Sequence, residues 1–156
     1  MSAVSTVVYD CSRSVASHFT WAGPLAARIT VGVVFIITGW TKLHHLPTIT
    51  KNFTALGVPA PEILTPFISG VEFVGGLLLL IGLFTRLTAV PLMIVMVVAI
   101  ILARLGDVTS LEDFFGSEEV AYFVIFAWLA IAGPGPVSVD HFVLKASGRD
   151  SAAHGA

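Results

Sequence analysis

Charge is what this chain has least of. Only 12% of its 156 residues are Asp, Glu, Lys or Arg, against about a quarter in soluble domains. With 56% hydrophobic residues the remainder is too apolar to be dissolved by so thin a polar coat, so the chain reads as an integral membrane protein. It lacks a basic excess as well: the formal charge is −2, which speaks against nucleic acid as a partner. Cysteine occurs once, as Cys11, so an intramolecular disulfide, a Cys-x-x-Cys redox pair and a cysteine zinc site are all excluded. Any dithiol chemistry requires a second protein. No glycine-rich phosphate loop, Ser-His-Asp set or haem-attachment motif is present, and the apolar runs contain no histidine for bis-histidine haem ligation. The opening MSAVSTVVYDCSRSVASHF has no basic start followed by a long apolar core, so the first span is expected to act as the targeting signal.

What is present is four apolar runs. The first span is expected from Leu25 to Leu43, after Pro24 in an opening turn, with Arg28 near one end and Trp40 and Lys42 near the other as interface anchors. Pro47, Pro59 and Pro61 then break the chain, and Ile49, Phe53 and Leu56 trace a weak amphipathic pattern ending at Gly57. This predicts a short helix on the membrane surface. The second span is placed at Pro66 to Arg86, long enough to cover a hydrocarbon layer of about 30 Å. The third is placed at Leu87 to Leu105 with Pro91 in its opening turn, after a tight turn at Thr85-Arg86. A solvated loop holding five of the ten acidic residues (Asp107, Glu112, Asp113, Glu118, Glu119) leads through Ser117, a helix start, to a short fourth span from Val120 to Ala132. Gly133-Pro134-Gly135-Pro136 ends it.

The expected organisation is thus an N-terminal tail (1–23), a four-transmembrane-helix bundle with a short interfacial helix between spans one and two (24–140), and a C-terminal tail (141–156) that turns disordered after Lys145. Counting Lys and Arg by side gives Arg13, Arg28, Arg86, Lys145 and Arg149 against Lys42, Lys51 and Arg104. That bias puts both termini in the cytoplasm and the two long loops outside.

Glu72 is the anomaly of the second span. A carboxylate at that depth costs roughly 2.5 to 3.5 kcal/mol and needs a polar partner or a wet cavity. By rise per residue it lies about 21 Å up its helix from Arg86, while Lys42 lies about 27 Å and Arg28 about 6 Å up the first from Pro24. Lys42 is the better depth match. The expected intramembrane polar site is therefore Glu72 with Lys42, near Thr38 and Trp40, with Arg28 an interface residue facing inward from the opposite end. A purely structural pair joining two helices is an equally plain reading of the same residues. Gly39, Gly70, Gly75, Gly76 and Gly82 are expected to permit close helix approach, and Gly75-Gly76 suits contact within one bundle or between two chains of a homo-oligomer. His44 and His45 point about 100° apart on a helix and read as solvated surface residues, so no metal site is expected. The aromatics Phe114, Phe115, Tyr122, Phe123, Phe126 and Trp128 read as lipid-facing and core residues; Phe73 is placed to stack on a quinone ring.

Arg28, Gly32, Phe35, Gly39 and Lys42 in the first span, Glu72-x-x-Gly75-Gly76 through Gly82 and Thr85-Arg86, and the GPGPVSVD segment together resemble the DoxX family of small bacterial membrane proteins over Leu25 to Asp140. The resemblance implies a four-helix core like that of vitamin K epoxide reductase-like enzymes, whose catalytic cysteine pair has no counterpart here. It also implies a link to quinone chemistry, because the family is named for a subunit of a thiosulfate:quinone oxidoreductase. More distant relatives serve as cargo receptors or assembly chaperones. Two functions follow as expectations: a membrane subunit of a quinone-linked or thiol-stress redox system whose partner supplies electrons, or a non-enzymatic binding, transport or assembly factor using the same cavity or its outer loops.

Overall fold

The computed structural model describes residues 19–104, 106 and 108–146. The expectations for Cys11, for Asp107 and for the tail beyond Ala146 fall outside that range. Among the described residues every regular element is helical: α1 (Ala22–His44), α2 (Leu46–Ala55), α3 (Pro61–Ile81), α4 (Thr85–Ala99, continued as a π-helical turn Ile100–Arg104), α5 (Leu111–Phe115), α6 (Glu118–Ala132) and α7 (Val139–Ala146). Three helices, α1, α3 and α4 with its extension, are long and apolar enough to cross a membrane. The 15 residues of α6 fall short of that length and pack beside α4 and α1.

The helix limits follow from local chemistry and correct several expected boundaries. α3 begins at Pro61, five residues earlier than placed, because Ala60 in a left-handed conformation (φ 45°) and Pro61 in the first turn suit a helix start. Pro66 therefore lies inside α3. The helix ends at Ile81, where Gly82 (φ 71°) is left-handed and Leu83 N–H reaches the Leu78 carbonyl at 2.9 Å. The reversal into α4 thus occupies Gly82 to Phe84, and Thr85-Arg86 already belong to α4. Pro91 consequently sits in the second turn of α4. The acidic loop is not wholly irregular, since it contains α5, and the chain after Gly133-Pro136 forms α7, which runs through the expected tail boundary at Asp140.

Packing is an α1/α3 pair and an α4/α6 pair joined across a common core of Val31, Phe35, Leu79, Leu92, Met96, Phe126 and Leu129. Phe35 meets Tyr122 and Phe126 edge-on, at ring-centroid distances of 5.5 and 5.0 Å. Glycine sets the closest approach. A Cβ on Gly39 would lie 2.5 Å from the Phe73 backbone nitrogen, and one on Gly76 would lie 2.7 Å from that of Ile36. The two helices therefore touch backbone to backbone, as small residues permit in lipid. Gly75 faces Leu92 of α4. Both members of the Gly75-Gly76 pair are buried within this chain, so the contact that the sequence left open is made inside one bundle.

Candidate functional site

Helix α1 delivers Lys42 in its last turn, and α3 delivers Glu72 three turns into its length. Because the two helices run antiparallel and almost in contact, those side chains meet: Lys42 Nζ donates to Glu72 Oε1 and Oε2, both at 2.7 Å. The pair is lopsided in burial, the lysine side chain 30% exposed and the glutamate 3%. The carboxylate is shut into the bundle while the ammonium keeps an open flank.

That flank faces a partly open cavity of about 760 Å³ lined by α1, α2, α3, α4 and α6. Its size falls within the range of small-molecule sites. Apolar side chains form most of the wall, among them Val34, Phe53, Ile68, Val71 and Val95. The polar groups are Thr38 and Lys42 of α1, Glu72 of α3, and Glu118, Glu119 and Tyr122 of α6. Leu102 and Ala103 of the π-helical turn complete it.

The other expected site residues are distributed differently. Thr38 lines the cavity. Trp40 does not: it is half exposed and lies against His44 (4.1 Å between centroids) and Phe73 (5.5 Å) on the outside of the α1/α3 pair. Phe73 is accordingly occupied by Trp40 rather than aimed into the cavity. His44 and His45 turn back on α1, their Nδ1 atoms 2.9 Å from the Trp40 and Thr41 carbonyls. No three His, Cys, Asp or Glu side chains stand together among the described residues.

Arg28 belongs to a second polar cluster at the opposite end of the bundle and is buried there, with 1% exposure. Its Nη2 donates to the Val137 carbonyl, and the missing side chain of Gly82 leaves the space that its guanidinium fills. Gly82 is therefore no helix-packing residue; it is a turn residue that accommodates an arginine. Asp140 completes the cluster. Its backbone N–H donates to the Gly82 carbonyl at 3.0 Å, and its carboxylate accepts from the N–H groups of Phe84 (2.7 Å) and Thr85 (3.0 Å). A carboxylate on the positive end of α4 is favourable, and this one comes from more than fifty residues downstream. Sequence reasoning missed Asp140 for that reason, since no local pattern pairs it with Thr85. It also read Glu118 and Glu119 chiefly as a helix start and Tyr122 as a core or lipid-facing residue, whereas all three line the same cavity as Lys42.

A family model described as DoxX matches residues 23–105. The membrane protein Rv3486 of Mycobacterium tuberculosis is 33% identical, covering 78% of this chain and 81% of its own length. The inner membrane protein YqjF of Escherichia coli is 30% identical over 79% of this chain and 93% of its own. A Bacillus subtilis protein named "Putative oxidoreductase CatD" is 28% identical over 79% of this chain and 88% of its own. No solved structure matches.

Proposed function

The chain belongs to the DoxX family of membrane proteins, and from that premise we propose that it is the membrane subunit of a quinone-linked redox system, holding a quinone-like molecule in the cavity beside Lys42 and Glu72 while a partner protein supplies electrons. One observation carries this reading: a mostly apolar cavity of about 760 Å³ with one ammonium on its wall among the described residues, partly shielded and already oriented by a buried carboxylate. The apolar wall suits a ring and its substituents, and Lys42 donates to a ring carbonyl oxygen without leaving Glu72, because an ammonium has three donors. Thr38 adds a hydroxyl on the same side. A bound quinone supplies the electron-accepting chemistry that these residues lack. The name of the Bacillus relative supports an oxidoreductase setting, and the named Escherichia relatives support the inner membrane.

In the same reading α6 makes the fourth crossing, its 15 residues supplying about 22 Å of rise. Helix α2 lies at the outer surface, and both termini are cytoplasmic. A second reading, a non-enzymatic binding or assembly factor, draws on the same cavity and on the single cysteine, Cys11, which leaves the chain without a dithiol of its own.

Purification in mild detergent followed by an absorbance spectrum and a native mass separates the two. A copurifying quinone, retained by the unaltered chain and lost from Lys42→Met, is the expected result. A protein that carries no small molecule and takes up none of an added quinone, yet arrives with a client chain, would sink the redox reading.

A further inference from the structure

The cavity is partly open rather than sealed. Phe67 and Ile94, which line it, are 64% and 55% exposed. They belong to two outward stripes at heptad spacing, Phe67, Val74 and Ile81 on α3 and Leu87, Ile94 and Ile101 on α4, all of them large exposed hydrophobics. Exposed apolar stripes on membrane-crossing helices face acyl chains. The same side chains therefore border lipid and cavity at once. Nearer the connecting turn α3 and α4 are closed by Gly75 against Leu92. At about 20 Å from that turn, where Phe67 and Val98 are level, both residues line the cavity and both are exposed. The stretch of α4 beside this gap is bracketed by Pro91, which lacks an N–H for the helical ladder, and by the π-helical turn Ile100–Arg104. At the water-facing end Phe53, Leu56, Val58 and Pro59 form an apolar cover, with the carboxylates of Glu118 and Glu119 beside it.

We infer that the gap between α3 and α4 at Phe67, Ile94 and Val98 is a lateral portal through which a bilayer-dissolved amphiphile reaches Lys42, its polar ring inside and its aliphatic tail left lying between the two helices in the lipid. This rests on the quinone reading of the cavity and adds the class of ligand, one with a long tail, and its route. A tail that stays in the portal gives up no contact with hydrocarbon on binding, whereas a tail held in the water-facing mouth is stranded in the wrong solvent.

The test uses the full-length protein in lipid nanodiscs and two photoreactive forms of one decyl-benzoquinone, carrying the azide on the ring or at the tail end. Adducts are mapped by mass spectrometry with and without excess unlabelled quinone. Ring adducts near Thr38 and Val71 and tail adducts on Phe67, Ile94 or Val98, both lost on competition, are expected. Val98→Trp, which narrows the gap, should abolish both. Tail adducts on Val58, Pro59 or Glu118 together with competed ring adducts would overturn the portal while leaving the cavity a quinone site. Absence of any competed ring adduct would remove the quinone reading and the portal with it.

Discussion

Glu72 and Lys42 show how much a single pair of residues can specify in a bilayer. Their charges were legible in the sequence by depth counting alone, but their unequal burial was not, because it depends on which flank the cavity opens. The inequality has a consequence. Lys42→Met strands a carboxylate that is only 3% exposed, and is expected to lower stability by roughly 3 to 5 kcal/mol, the usual cost of orphaning a buried charge. Glu72→Leu strands an ammonium that is 30% exposed, and should cost clearly less. The double variant should recover most of the loss. Thermal unfolding of the four proteins of this cycle in one detergent checks it, and additive losses would show that the pair is not coupled.

The glycines separate at the same scale. A methyl group on Gly39 meets the backbone of Phe73, so Gly39→Ala is expected to cost about 1 to 3 kcal/mol by forcing α1 away from α3. Gly70 has nothing within 4 Å of its absent Cβ, so Gly70→Ala should be neutral or stabilising by up to about 1 kcal/mol. The two were indistinguishable in the sequence, where each is a glycine in an apolar run. Only the position of the facing helix tells them apart.

At the scale of elements, helix ends decide the arrangement. The start of α4 follows directly on the α3 turn, and its first N–H groups are satisfied by Asp140 from the far end of the chain. Asp140→Ala is expected to cost about 1 to 2 kcal/mol, in the range of lost N-caps, and to loosen α7 from the bundle. Faster proteolysis between Ser138 and Lys145 would report it. Helix α5 has a local cap instead. Ser110 Oγ accepts from the Asp113 N–H at 3.1 Å, while Thr109 Oγ1 donates to the Asp113 carboxylate at 2.5 Å. Hydrogen bonding of the carboxylate by the Thr109 hydroxyl, and secondarily by that of Ser110, holds the Asp113 carboxyl below its ordinary value. A depressed carboxyl stabilises the folded form above the unfolded pKa, near 3.9, and that support is lost as pH falls through the lower folded value. An NMR titration should find the α5 amides shifting below about pH 3.9, and a midpoint above it would contradict the cap. Ser117 shows the opposite outcome. It precedes α6 as the sequence suggested, yet its hydroxyl donates backwards to the Phe114 carbonyl at 2.8 Å and caps nothing ahead of it.

For the whole molecule the central question is sidedness. With α6 as a fourth crossing, reporter fusions at Ala146 and within the Gly106–Ser110 loop should report opposite faces of the membrane, the first cytoplasmic. Fusions that both report one face would reduce the count of crossings to three and invert the C-terminus. The cavity gives a second measure at this scale. Adding a tailed quinone to the purified protein should raise its thermal midpoint in proportion to the logarithm of ligand concentration, and Lys42→Met should flatten that response.

Composition and the spacing of apolar runs determined that this chain lives in a membrane as a bundle of helices, because in hydrocarbon every backbone polar group must be satisfied within its own segment and only long apolar helices do so without help. Depth counting made Lys42 the better match for Glu72, and the two side chains stand 2.7 Å apart. Tertiary structure alone decided which glycines touch, that Arg28 is clasped in a cluster with Asp140 at the end of the bundle away from Lys42, and that one cavity gathers side chains from five helices. Each of these depends on how far apart two helices stand, and that distance is set by pairs of residues dozens of positions apart, which no local pattern encodes.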